Sequence, residues 1–164
     1  MESIGSTRDL FLHELGDILY VEEKLERDVL PKLMEEATDR DLRKSFEKHL
    51  RETRGHVENV EEVFSKLGEP PKSEPCIGFE GLKSEHEQLL GEASPALVEM
   101  IDTAAAARVE HYEIAAYETL ITMARGLGAK NVIELLERNL KEEKEALREV
   151  ESAAKRLSKE PVAA

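Results

Sequence analysis

Apolar residues recur in alternating steps of three and four over four long segments of this chain. That spacing restricts it to amphipathic helices packed on one another. Phe11, Leu15, Ile18, Leu25 and Val29 make the first stripe, and Leu42, Phe46, Val60, Val63 and Leu67 the second. Met100, Ala107, Ile114, Tyr117, Ile121 and Ala124 make the third, and Ile133, Leu136, Leu140, Leu147 and Val150 the fourth. Each stripe is broken near its middle by residues that a core disfavours. Glu22 breaks the first. His49, Thr53 and His56 break the second, with Glu52 beside them. Glu110 breaks the third, with Glu113 one turn on, and Glu143 breaks the fourth. An unpaired charge in a helical core costs on the order of 3–5 kcal/mol, so the four interruptions call for a shared compensation.

Punctuation sets the helix limits. Ser6 or Thr7 caps the first helix, and Pro31 inside it predicts a kink. Thr38-Asp39 opens the second, and Gly68-Glu69-Pro70-Pro71 stops it. Ser94-Pro95 starts the third long helix, and Gly126-Leu127-Gly128 ends it. Helices are expected over about 7–37, 39–67, 79–91, 95–126 and 130–157, with the tail from Ser158 fraying. The short first connection makes an antiparallel hairpin, as does the connection at Gly126–Gly128. The long connection from 68 to 94, with its own short helix, can carry the chain along the bundle, leaving helices two and three parallel. The whole is expected to be one all-α domain, 1–164.

Composition agrees: 36% of residues are charged and 4% aromatic, the profile of long helices. A net charge of −13 argues against nucleic-acid and anionic membrane surfaces, and favours cations in any cleft it lines. Cys76 is the single cysteine, which excludes an intramolecular disulfide or a Cys-x-x-Cys centre, and its loop setting makes its thiol incidental. No signal peptide or spanning segment is expected, and the location is expected to be cytoplasmic.

Glu22 and Glu52 are 30 residues apart, and Glu110 and Glu143 are 33 apart, so antiparallel pairing brings them to similar heights. Several carboxylates inside a bundle cannot all stay ionised without cations. Two metal ions answer this, and oxygen ligands with few imidazoles suit iron or manganese better than structural zinc. The bland alternatives are a boundary position for Glu52, a satisfied core histidine for His49, and a solvated charge face for Glu142 and Glu145.

Leu15-Gly16-Asp17 with Glu22, His49-Leu50-Arg51-Glu52-Thr53-Arg54-Gly55-His56, Val109-Glu110-His111-Tyr112-Glu113-Ile114-Ala115-Ala116-Tyr117 and Glu142-Glu143-Lys144 resemble the YciE/YciF-like family of ferritin-like proteins. The likeness runs from about Thr7 to Leu157. It implies a ferritin-like four-helix bundle with an extra helix in the crossover, a dinuclear metal centre, a homodimer and a link to bacterial stress. Glu22, Glu52, Glu110 and Glu143 match the glutamates of the four helices. The usual histidine three residues after the second and fourth glutamates is replaced by Gly55 and Ala146. His56 stands in for the first, and Glu113 fills the vacancy left by the second.

The metal set is therefore Glu22, Glu52, His56, Glu110, Glu113 and Glu143. In a working site Glu52 and Glu143 would bridge, Glu22 and His56 would bind one ion, and Glu110 with Glu113 the other. Two functions follow from the resemblance: an oxidoreductase or metal-handling protein using O2 or peroxide, or a structural stress bundle whose metal site is vestigial. Tyr112 and Tyr117 read as core residues near the site, and no residue is assigned a catalytic role.

Overall fold

The computed structural model describes residues 4–159. Residues 160–164 of the expected frayed tail lie outside it. Helices account for nearly all of it: α1 (Thr7–Lys24), α2 (Leu30–Glu36), α3 (Arg40–Lys66), α4 (Ile77–Glu92), α5 (Val98–Gly126) and α6 (Lys130–Leu157). No strand occurs among the described residues. No helix among them is long and apolar enough to cross a membrane.

Ser6 Oγ accepts the Asp9 amide (3.1 Å) to start α1, and Asp39 Oδ1 accepts the Leu42 amide (2.7 Å) to start α3. Ahead of Pro31 the first rod widens into a π-helical turn at Leu25–Val29, where the Leu30 amide bonds Leu25 O. That wider turn relieves the crowding a proline ring causes against the preceding turn. α1 and α2 thus form one nearly continuous arm.

Pairwise contacts fix the helix directions. Arg8 reaches Glu69 beyond the end of α3 (2.6 Å), and Glu22 meets His56, so α1 and α3 run antiparallel. Ser45 bonds Glu149 (2.8 Å) and Asn59 bonds Asn139 (2.7 Å), which sets α6 antiparallel to α3. Arg125–Glu137 (2.8 Å) and Lys144–Glu118 (2.6 Å) do the same for α5 and α6. α3 and α5 therefore run parallel, and the crossover carries the chain back along their length. It is pinned to α1 at Gly16, whose carbonyl accepts the Glu74 amide (3.0 Å). A Cβ at Gly16 would lie 2.8 Å from Lys72 O, so only glycine permits this approach.

α4 begins two residues before the sequence suggests, because Cys76 Sγ caps it by accepting the Phe79 amide (3.4 Å). The thiol is buried and lies 2.9 Å from Tyr112 Oη, so Cys76 is a packing and capping residue and not a loop bystander. A 3-10 turn at Pro95–Leu97 leads into α5.

Apolar residues such as Phe11, Leu15, Leu42, Val60, Leu120 and Leu136 fill the core. Between its apolar layers sits a buried polar belt: Glu22, His49, Thr53, His56, Glu110, Glu113, Asn139 and Glu143.

Candidate metal centre

Two groups of potential ligands meet in that belt. His49, Glu110, Glu113 and Glu143 form one, and Glu22, His56 and Glu143 the other, with ligand atoms in each group lying within 4.8 Å of one another. Glu143 belongs to both. α1 supplies Glu22, α3 supplies His49 and His56, α5 supplies Glu110 and Glu113, and α6 supplies Glu143. The regular 3.6-residue winding of each helix turns these side chains inward with the apolar stripe they interrupt.

The Glu22 side is braced by protein groups. Tyr117 donates its hydroxyl to Glu22 Oε1. Asn139 donates to Tyr117 Oη (2.9 Å) and to the His56 carbonyl (3.3 Å). His56 Nδ1 lies 2.7 Å from Glu143 Oε1 and 3.3 Å from Glu22 Oε2, while Nε2 lies 2.9 Å from Glu142 Oε2. A carboxylate on the far nitrogen is the arrangement that orients a metal-binding imidazole.

The other side lacks such bracing. His49 Nε2 approaches Glu110 Oε1 (3.2 Å) and Glu143 Oε2 (3.8 Å), but neither contact is aligned as a hydrogen bond. Both nitrogens of His49, both oxygens of Glu113, Glu143 Oε2 and Glu110 Oε2 are buried without a hydrogen-bond partner. Buried polar atoms are ordinarily paired, so this concentration is far from the usual state of a folded interior.

Electrostatics agree with the geometry. Burial, with Glu110 and Glu22 close by, pushes Glu143 up to about 8. Burial pushes Glu110 up to about 7, and burial with the charges of Glu143, Glu22 and Glu110 holds Glu113 well above the carboxylate range. Burial alone would lower His56, but Glu22, Glu142 and Glu143 outweigh it and hold it well above the usual histidine range. Oxygen and nitrogen donors with excess negative charge, buried and unpartnered, fit a divalent or trivalent cation.

Of the residues singled out in the sequence, Glu22, His56, Glu110, Glu113 and Glu143 converge here. Glu52 belongs to neither group. It stands beside them, with Oε2 buried 4.0 Å from His49 Nδ1 and Oε1 3.5 Å from Lys48 Nζ. The reading of His49 as a satisfied core histidine is corrected, since neither ring nitrogen has a partner. The charge-face reading of Glu142 is likewise incomplete, since it bonds His56. A signal for His49 was present: it lies seven residues, two helical turns, from His56 on the same face.

An all-helical protein with a buried histidine–carboxylate cluster able to hold a metal ion is the class these features define. The chain belongs to the DUF892 family, a domain of unknown function, whose model matches residues 6–163. It is similar to protein YciF of Escherichia coli K12, at 37% identity over 146 residues, which are 87% of this chain and 86% of that one. The crystal structure of that stress protein superposes with a TM-score of 0.87 and 32% identity, covering 96% of this chain and all of that one. YcfI of Rhodopseudomonas palustris, provisionally described as a structural protein, superposes equally well at 0.87 with 39% identity, over 92% and 96% of the two chains.

Proposed function

We propose that this chain is a ferritin-like four-helix bundle whose Glu22, His49, His56, Glu110, Glu113 and Glu143 hold two ions of iron or manganese. The observation that carries this is Glu143: it belongs to both ligand groups, its Oε1 facing His56 Nδ1 at 2.7 Å and its buried Oε2 lacking a hydrogen-bond partner. Four carboxylates and two imidazoles are the donor set of ferritin-like dinuclear sites, in which two helices give one glutamate each and two give Glu-x-x-His. Here the same six donors are distributed differently. α3 gives both imidazoles, and α5 gives two carboxylates as Glu110-x-x-Glu113.

Such an ion pair, when bound, supplies redox chemistry toward dioxygen or peroxide. The chain's own contribution is to fix the ligands, exclude water and hold a proton on Tyr117 beside Glu22. A link to stress follows by likeness to the stress protein YciF, and the oxidoreductase or metal-handling role rests on the proposed ions alone. A structural role, as offered for YcfI, is the second reading; the Tyr117–Asn139 bracing favours it, because it rigidifies the core whether or not turnover occurs.

Chelated protein titrated anaerobically with Fe(II) or Mn(II) tests the proposal. Saturation at two ions per chain, followed by consumption of Fe(II) under air, supports the redox reading. Saturable binding that raises Tm without Fe(II) consumption supports the structural one. No saturable binding overturns both metal assignments.

A further inference from the structure

An apolar cavity of about 160 Å³ lies beside the ligand cluster, between the π turn, α2, α4 and α5. Leu30, Leu33, Phe79, Leu82, Ala106 and Val109 form much of its wall. Its inner end is made by His49 and Glu110, whose side chains are 7% and 4% exposed. At its outer end stand the exposed Asp28, Lys32 and Glu36, with Lys83 and Glu87 of α4. Asp102, itself buried, also lines it, and is engaged by His86 Nε2 at 2.8 Å.

We infer that this cavity binds a neutral, ring-sized apolar molecule carrying one hydrogen-bond donor, a simple phenol being the type, and holds it against the His49–Glu110 side of the cluster. The volume sets the size: a cavity near 150 Å³ with apolar walls admits benzene. The charges set the neutrality. Glu110 and Asp102 within, and Asp28, Glu36 and Glu87 against only two lysines at the rim, repel a carboxylate or phosphate. Glu110, whose side chain closes the inner end, supplies the acceptor that selects a donor-bearing ring. Binding itself requires no metal. Treating the bound ring as a substrate rests on the proposed function; its presence in the cavity does not.

The test uses chelated full-length protein and 19F NMR titration with 4-fluorophenol, fluorobenzene and 4-fluorobenzoate. The phenol is expected to saturate, and to bind about tenfold or more tighter than the benzoate, with fluorobenzene between them. Ala106→Leu, which fills the cavity, is expected to abolish saturation. Leu82→Ala, which widens it, is expected to admit a fluoronaphthol that the parent protein excludes. The inference is overturned if the phenol does not saturate, binds no better than the benzoate, or is unaffected by Ala106→Leu. Should circular dichroism show that Ala106→Leu is unfolded, the naphthol result with Leu82→Ala decides in its place. Metal content of the same samples separates the two readings: metal uptake without phenol binding sinks this inference alone, and phenol binding without metal uptake sinks the dinuclear site alone.

Discussion

On the α1 side of the belt, Glu22 is held by Tyr117, Tyr117 by Asn139, and His56 by Glu142; on the α5 side, His49, Glu110 and Glu113 converge with most of their polar atoms unpartnered. The first set is positioned by the protein itself. The second is brought together by backbone geometry alone, and like charges there oppose the convergence. The same contrast extends outward, because the braced side backs onto the Asn59–Asn139 contact between α3 and α6, while the unbraced side borders the apolar cavity. One half is built to keep its geometry without a ligand, and the other to gain stability from one.

The severest test of that contrast is Glu143→Leu, which removes the residue common to both halves. It should abolish binding of both ions in elemental analysis. It should also stabilise the chelated protein by about 1–4 kcal/mol in denaturant melts, because a buried carboxylate in surplus over its cationic partners is replaced by a hydrophobe of similar volume. A destabilised variant would mean that the Glu143–His56 contact outweighs repulsion from Glu110 and Glu113.

Glu113→Leu asks whether the halves are separable. The expected result is loss of one ion per chain and retention of the other, since Glu22, His56 and Glu143 are untouched. Loss of both ions would show one interdependent site, and the comparison of halves would fail.

Acidity gives a third handle. Glu110 and Glu143 titrate in the folded chain at about 7 and about 8, above their usual value, so in the chelated protein the native state keeps protons that the unfolded state has lost. Stability conferred by such groups falls as pH rises. His56, also raised, acts in the same direction. Chelated protein should therefore lose stability progressively from about pH 5 to pH 8, and metal loading should flatten the slope. A Tm that rises over this interval without metal would contradict the buried like-charge cluster.

Much of this arrangement was legible in the sequence, because helical periodicity is local and the interruptions of four stripes are visible without coordinates. Glu22, Glu110 and Glu143 stand on the stripes themselves. The second helix was harder. Residues seven apart drift only about 20° around a helix, so His49 and His56 share a face. Glu52 stands between His49 and Lys48, at the edge of both ligand groups and in neither. By pattern the glutamate matches a ligand and the histidine an ordinary core residue, yet the fold gives neither ring nitrogen of His49 a hydrogen bond. The π turn was equally hidden: Pro31 signals a disturbance, but where the helix absorbs it depends on packing of the arm against α3. Glu142 carried no signal of its own, since its contact with His56 exists only once α6 lies against α3.

Glu142 yields the finest distinction between the halves. Its carboxyl is held below the usual range by its bond to His56, and it stands about one-third exposed at the surface end of the belt. Glu142→Gln keeps an oxygen that can accept from Nε2 but removes the charge, so ring orientation is retained while imidazole basicity falls. Changes of this kind around metal-bound histidines typically cost 10–100-fold in affinity. With orientation preserved, about tenfold is expected, confined to the ion on the Glu22 side, and with little change in Tm. Glu142→Ala also frees the ring to turn and should cost more. Paired titrations of both variants with Mn(II), followed by electron paramagnetic resonance, read the two sites separately. An equal loss at both sites would show that His56 is not tied to the braced half, and would dissolve the distinction between the two.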